Sequence, residues 1–206
     1  MRGLVSLIVL VLQLAAHAAP AAASERVIVA FGDSLTAGLG VPVAQTYPAR
    51  LGERLRREGY DYKVVNAGVS GDTTAGGLRR VDWALRLKPD IVILELGVND
   101  ALRGQDLASV RANLEQIVTR FQEAGARVLV AGMRLPPNYG TPYADQFYRL
   151  FSEVARVRNA PYLPFFLDGV GAAPRLNQSD GIHPTAEGYA LVVEHMWPYL
   201  QPLLRK

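Results

Sequence analysis

The sequence predicts a three-layer α/β/α sandwich with a central five-stranded parallel sheet. Three observations carry that reading. From Val27 onward short apolar runs alternate with amphipathic ones, the signature of strands joined by helical crossovers. The stretch Asp90-Ile91-Val92-Ile93-Leu94-Glu95-Leu96 is almost continuously apolar, as a central strand covered on both faces must be. No internal repeat, linker or low-complexity segment interrupts the alternation, so Ser24 to Lys206 is expected to form one domain with a sizeable core.

Taken in order, Val27-Ile28-Val29-Ala30-Phe31 is the first strand, short, apolar and β-branched. It runs into the turn Gly32-Asp33-Ser34-Leu35-Thr36-Ala37-Gly38, where a capping role for Ser34 is the plainest reading. Tyr47 to Gly59 is helical, with Leu51 and Leu55 on one face and Arg50, Glu53, Arg54 and Arg57 on others. Tyr62-Lys63-Val64-Val65-Asn66 is the second strand, followed by the small-residue loop Ala67-Gly68-Val69-Ser70-Gly71-Asp72-Thr73-Thr74. A helix from about Thr74 to Leu87 is closed by Pro89, and the central strand comes next. After the loop Gly97-Val98-Asn99-Asp100, a helix starts near Asp106 and lines up Leu107, Val110, Leu114, Ile117, Val118 and Phe121 before stopping at Gly125. Arg127 to Ala131 is the fourth strand, then come the loop Gly132 to Gly140, a helix from about Tyr143 to Val157, and a fifth strand near Tyr162-Leu163-Pro164-Phe165. A long irregular stretch leads to Asp180-Gly181-Ile182-His183-Pro184, and a last helix spans about Thr185 to Leu200.

The first residues read as an export signal. One cation, Arg2, precedes an apolar run from Leu4 to Leu14, and small residues follow through Ala21-Ala22-Ala23. The run is shorter than the ~20 residues that span a bilayer as a helix. Cleavage after Ala23 is expected, with Ala16-His17-Ala18 as a second possible site, so residues 1–23 are set apart from a domain of residues 24–206 that works in the periplasm or outside the cell. There is no cysteine, hence no disulfide, no thiol chemistry and no site for a lipid anchor. The net charge of +3 (22 Lys and Arg against 19 Asp and Glu) drops to +2 without Arg2 and is not gathered into a basic stripe. Neither nucleic-acid binding nor a stable membrane anchor is therefore expected, and nothing demands more than a monomer.

The chemistry is concentrated at strand ends. In a parallel sheet the loops after strands one, two and three open at one edge, where ligands bind in open α/β sheets. Ser34 lies in the first, Gly71 in the second and Asn99 in the third. A serine on a strand-to-loop turn presents its hydroxyl beside its own N–H. A glycine N–H and a side-chain amide are donor types that build an oxyanion hole. Glycine at position 71 is expected because a side chain there would crowd the substrate, and Gly68 is the other candidate in its block. Of the three histidines, His17 falls in the signal and His195 lies inside a helix, where a structural role is expected. His183 sits in a loop three residues after Asp180, a spacing that lets a carboxylate fix one ring nitrogen and free the other as a base. Each position taken alone fits an ordinary turn; four that meet the roles of nucleophile, two donors and base point to hydrolysis.

Gly32-Asp33-Ser34-Leu35, the Gly71 block, Gly97-Val98-Asn99-Asp100 and Asp180-Gly181-Ile182-His183-Pro184 together resemble, in order and spacing, the four blocks of the GDSL esterases, or SGNH hydrolases. The likeness covers nearly all of the chain after the signal. It is strongest toward the bacterial periplasmic branch of thioesterase I, protease I and lysophospholipase L1 and toward related arylesterases, through Glu95 to Gly104 and Arg134-Leu135-Pro136-Pro137-Asn138-Tyr139-Gly140. The resemblance implies a flavodoxin-like fold and hydrolysis of fatty-acyl esters, thioesters or lysophospholipids without a metal or organic cofactor. It implies Ser34 as nucleophile, His183 as base, Asp180 as its orienting group, and the Ser34 and Gly71 N–H groups with Asn99 as oxyanion donors. Val98 departs from that branch, which often has glycine there, and bears on acyl-chain preference. Leu102, Met133, Leu135 and Pro136, with Pro137 and Tyr139, are expected to flank an apolar substrate groove.

Two other readings compete. A carbohydrate O-acetyl esterase would share the catalytic residues but not the apolar groove. A non-enzymatic module could cradle a phosphate in the Ser34 and Thr36 turn, yet it leaves His183 and Asn99 without a task. An ordinary nucleophile-elbow hydrolase is disfavoured because Thr36 stands where Gly-x-Ser-x-Gly needs its second glycine.

Overall fold

The computed structural model describes residues 25–206, so the predicted signal segment lies outside the described residues. Five parallel strands, β1 (Arg26–Gly32), β2 (Tyr62–Gly68), β3 (Ile91–Glu95), β4 (Arg127–Ala131) and β5 (Tyr162–Leu163), form one sheet in the order β2-β1-β3-β4-β5. Seven helices accompany them: α1 (Ser34–Ala37), α2 (Tyr47–Arg57), α3 (Thr74–Leu85), α4 (Val98–Leu102), α5 (Leu107–Glu123), α6 (Thr141–Val157) and α7 (Ala186–Leu200). α2 packs with α7, while α3 packs with α5 and α5 with α6, which gives the helical layers that cover the sheet's two faces. The strand order reverses direction around β1, and that switch point opens a crevice at the carboxyl ends of β1 and β3.

Burial explains the layers. Every residue of β3 and residues Ile28 to Gly32 of β1 are buried, so these central segments are apolar on both faces except for Glu95 at the end of β3. The apolar stripe of α5 is buried at all six predicted positions, from Leu107 to Phe121. Phe121 meets Phe31 of β1 edge-on at 5.4 Å between ring centres, and Tyr47 of α2 meets Phe166 in the same manner at 5.2 Å.

Several boundaries differ from the sequence reading. β2 continues two residues further, pairing Ala67 with Phe31 and Gly68 with Gly32, because small residues there fit against α1. β5 stops at Leu163 rather than Phe165, since Pro164 has no N–H to extend the ladder. The loop after β3 contains the helix α4, too short to show a period. The N-cap of α1 is Asp33, whose carboxylate accepts the Leu35 N–H at 3.0 Å; Ser34 is the first helical residue instead of the cap.

Candidate active site

Ser34 ends the turn after β1 with its Oγ 2.8 Å from His183 Nε2. The other ring nitrogen, Nδ1, lies 2.6 Å from Asp180 Oδ2. Asp180 is itself held by local backbone: its Oδ1 accepts the N–H groups of Ile182 at 2.9 Å and His183 at 3.0 Å. Those donors, led by the His183 N–H, pull the Asp180 carboxyl down to about 2. With an ionised Asp180 receiving the Nδ1–H, Nε2 is left to accept the Ser34 hydroxyl proton. The loop is fixed from both sides, because the Gln178 N–H donates to the His183 carbonyl at 2.7 Å and the Gln178 amide donates to Leu39 and Pro184 carbonyls at 2.7 and 3.0 Å.

The residues predicted as oxyanion donors sit at the ends of β1, β2 and β3. Ser34, as the first residue of α1, has an N–H with no helical partner. Gly71 adopts φ +78, and among the described residues its N–H donates to no backbone carbonyl. A Cβ there would meet only the Arg103 guanidinium, at 3.8 Å. Glycine is thus required by the left-handed backbone, whereas the sequence reading assigned it to crowding. Gly68 is committed elsewhere: its N–H donates to Asn66 Oδ1 at 3.0 Å, and a Cβ would stand 2.1 Å from the Ala37 nitrogen. Asn99, within α4, lines the same groove as Ser34 and His183 and donates one amide hydrogen to Asp33 Oδ2 at 2.9 Å. The amide carries a second hydrogen for a ligand.

Beneath the site lie two acidic side chains that the sequence reading did not single out. Asp33 and Glu95 are both fully buried. Glu95 Oε2 accepts from Thr36 Oγ1 at 2.8 Å and from the Asp33 N–H at 3.4 Å, while its Oε1 has no partner among the described residues. Burial, reinforced by Asp33, pushes the Glu95 carboxyl well above the usual range. Burial also raises Asp33, to about 6, against the lowering effect of the Leu35 N–H and the Asn99 amide.

An apolar groove of about 360 Å³ runs from Ser34 and His183 along the carboxyl edge of the sheet. Leu102, Met133, Leu135 and Pro136 line it as predicted, whereas Tyr139, in the following 3-10 turn, does not. Val98 is also in the wall. The sequence reading missed Phe165, Leu167, Gly171, Ala172 and Ile182, which complete it. All but Ile182 belong to the irregular stretch after β5, where no periodicity reveals which apolar residues face inward. His195 lies outside the site, its ring nitrogen bonded to the Asp168 carbonyl.

The chain matches the family model described as GDSL-like lipase/acylhydrolase over residues 30–191. It is 44% identical over 183 residues to the esterase TesA of Pseudomonas aeruginosa, covering 88% of this chain and 91% of that protein. To thioesterase 1/protease 1/lysophospholipase L1 of Escherichia coli K12 it is 36% identical over 185 residues, covering 89% and 87% of the two chains. A crystal structure of TesA superposes with a TM-score of 0.85 at 44% identity, over 87% of this chain and all of that one.

Proposed function

Because the chain belongs to the GDSL-like lipase/acylhydrolase family, we propose that Ser34, His183 and Asp180 cleave fatty-acyl esters and thioesters through an acyl-enzyme. That it is a serine esterase or thioesterase follows from the family and from its curated relatives. The observation that carries the roles is the relay of 2.8 Å from Ser34 Oγ to His183 Nε2 and 2.6 Å from Nδ1 to Asp180. His183 takes the hydroxyl proton as Oγ attacks the acyl carbon, and Asp180 stabilises the imidazolium. The oxyanion gathers the N–H groups of Ser34 and Gly71 and the free amide hydrogen of Asn99. His183 then protonates the leaving alcohol or thiol and activates the water that frees the acid.

The acyl chain lies in the groove walled by Leu102, Met133, Leu135 and Pro136, and lysophospholipids fall within the same substrate class. A single chain supplies every one of these groups. Residues 1–23 are removed on export to the periplasm or the medium, a reading supported by their charge and apolar pattern. N-terminal sequencing of the exported protein checks it, with Ser24 as the expected first residue.

Ser34→Ala is the direct test. The variant should fold normally and lose turnover of a p-nitrophenyl acyl ester by about 10⁴-fold or more. It should also lose rapid labelling by a fluorophosphonate. Near-normal turnover would overturn the mechanism, and an unlabelled but folded wild type would favour a binding module.

A further inference from the structure

Arg134 is the only Arg, Lys, Asp or Glu among the residues lining the groove. It is exposed at the surface, and among the described residues no carboxylate lies within 4.0 Å of it. An arginine at an apolar rim commonly lays its stem on the surface and leaves its head free in water. Here the head is not free. Its guanidinium carbon stands 4.4 Å from the ring centre of Tyr148 and 5.1 Å from that of Phe165, and one terminal nitrogen donates to Tyr148 Oη at 3.2 Å.

The backbone that carries it is pinned as well. The Gly132 N–H donates to the Leu163 carbonyl at 2.8 Å, and the Phe166 N–H returns to the Gly132 carbonyl at 2.8 Å. A Cβ on Gly132 would stand 2.4 Å from the Pro164 oxygen, so the two loops touch through bare backbone. Pro136 stiffens the chain on the other side. The result is a guanidinium held by two rings and a fixed loop, with most of its five N–H donors unengaged by protein.

Its place along the groove is set by strand order. Ser34 follows β1, and Arg134 follows β4, two strands away in the order β1-β3-β4. At about 4.8 Å per strand, that separates the two by roughly 10 Å across the sheet edge. We propose that Arg134 is an anion subsite in the wall of the apolar groove, selecting esters that carry one phosphate or carboxylate in the acyl chain or in the leaving group. The subsite rests on the ester-hydrolase reading above and names a substrate class for it. A preorganised, uncompensated guanidinium suits a planar carboxylate or a phosphate through paired hydrogen bonds. Because its entropy is already restricted by stacking, little ordering is left to the bound state.

The anion can come from either side of the ester, and two matched substrate pairs separate these sources. In the first, octanoylglycerol phosphate is compared with octanoylglycerol, placing the charge in the leaving group. In the second, mono-p-nitrophenyl suberate is compared with its methyl ester, placing the charge at the end of the acyl chain. The wild type should favour the charged member of one pair by on the order of 10-fold in kcat/KM. Arg134→Gln should bring that ratio close to one, and Arg134→Lys should keep only part of it. The readout is a ratio, so a variant that handles both members slowly still reports. Should Arg134→Gln fold poorly, the wild-type ratio must still collapse between low and molar salt. A ratio near one in both pairs, or one that survives Arg134→Gln, overturns the subsite. If that happens while neutral esters are cleaved in a Ser34-dependent manner, the hydrolase reading stands alone; if wild type cleaves none of the four esters, both fall.

Discussion

Asp33 is fully buried, yet its carboxylate accepts from the Leu35 N–H at 3.0 Å and from the Asn99 amide at 2.9 Å. It therefore caps α1, on which Ser34 rides, and also holds the Asn99 amide in the groove wall. Burial raises its pKa from 3.8 to about 6. Between those values the folded protein holds a proton that the unfolded chain has released, so native stability falls as pH rises through this window. The destabilisation is complete above the folded value and absent below the unfolded one. Asp33→Asn keeps an oxygen for the Leu35 N–H and has no titratable proton to lose. Its stability relative to wild type should climb between roughly pH 4 and pH 7, read from urea midpoints of both proteins. A difference that does not change with pH would show that Asp33 does not ionise there. Asn99→Ala removes the amide itself and should lower kcat by about 10² to 10³ with little change in KM. An effect confined to KM would assign Asn99 to ground-state binding.

At the scale of the element, α3 does more than cover the sheet. Its Arg80 donates to the Ala67 carbonyl at 2.7 Å and the Gly32 carbonyl at 2.8 Å, pairs with Asp72 at 2.7 Å, and lies 3.8 Å from the centre of the Phe31 ring. One side chain thus clamps the carboxyl ends of β1 and β2 just before the loops that hold Ser34 and Gly71. Nothing in the local pattern of α3 marks Arg80 for this, because its partners are brought to it only by the β1-β2 pairing. Arg80→Met should cost on the order of 3 kcal/mol, since it strands a half-buried carboxylate and two carbonyls. Thermal or urea unfolding measures that loss, and kcat should drop with it. Arg80→Lys should not restore either, because one ammonium cannot replace the planar fork; full rescue would assign the effect to charge alone. The same contrast describes what could be read ahead of the structure. β3, β4 and α5 were legible because burial writes itself into apolar runs and a helical period. Ser34, Gly71, Asn99, Asp180 and His183 were legible as motif positions; the fold brings Ser34, Asn99 and His183 to one groove and Asp180 to the His183 ring. Arg80, Glu95 and the groove residues between Phe165 and Ala172 were not, since their roles depend on long-range contacts rather than on spacing.

Across the whole molecule, the sheet's strand order decides how long a ligand the groove can take. Its wall draws on the loops after β1, β3, β4 and β5, through Leu35, Leu102, Leu135 and Phe165 among others. From β1 to β5 that is three strand spacings, about 14 Å at ~4.8 Å each, with apolar side chains along most of the way. Such a groove rewards each added methylene with roughly 0.8 kcal/mol until the chain reaches its end. Specificity in kcat/KM should accordingly rise from acetyl toward medium-chain esters by about 3- to 4-fold per carbon and then level off. Val98 and Leu135 stand in the wall, the latter half-buried beside Pro136. Leu135→Ala should flatten the rise for longer acyl groups while leaving acetate esters almost untouched, because the acetyl methyl lies too near Ser34 to reach it. Kinetics on a series of p-nitrophenyl esters of increasing length measures both slopes. A wild type that prefers sugar acetates to medium-chain esters would contradict the groove's role and place the chain with the carbohydrate esterases, since an acetyl group uses none of the apolar wall that four strand-end loops cooperate to build.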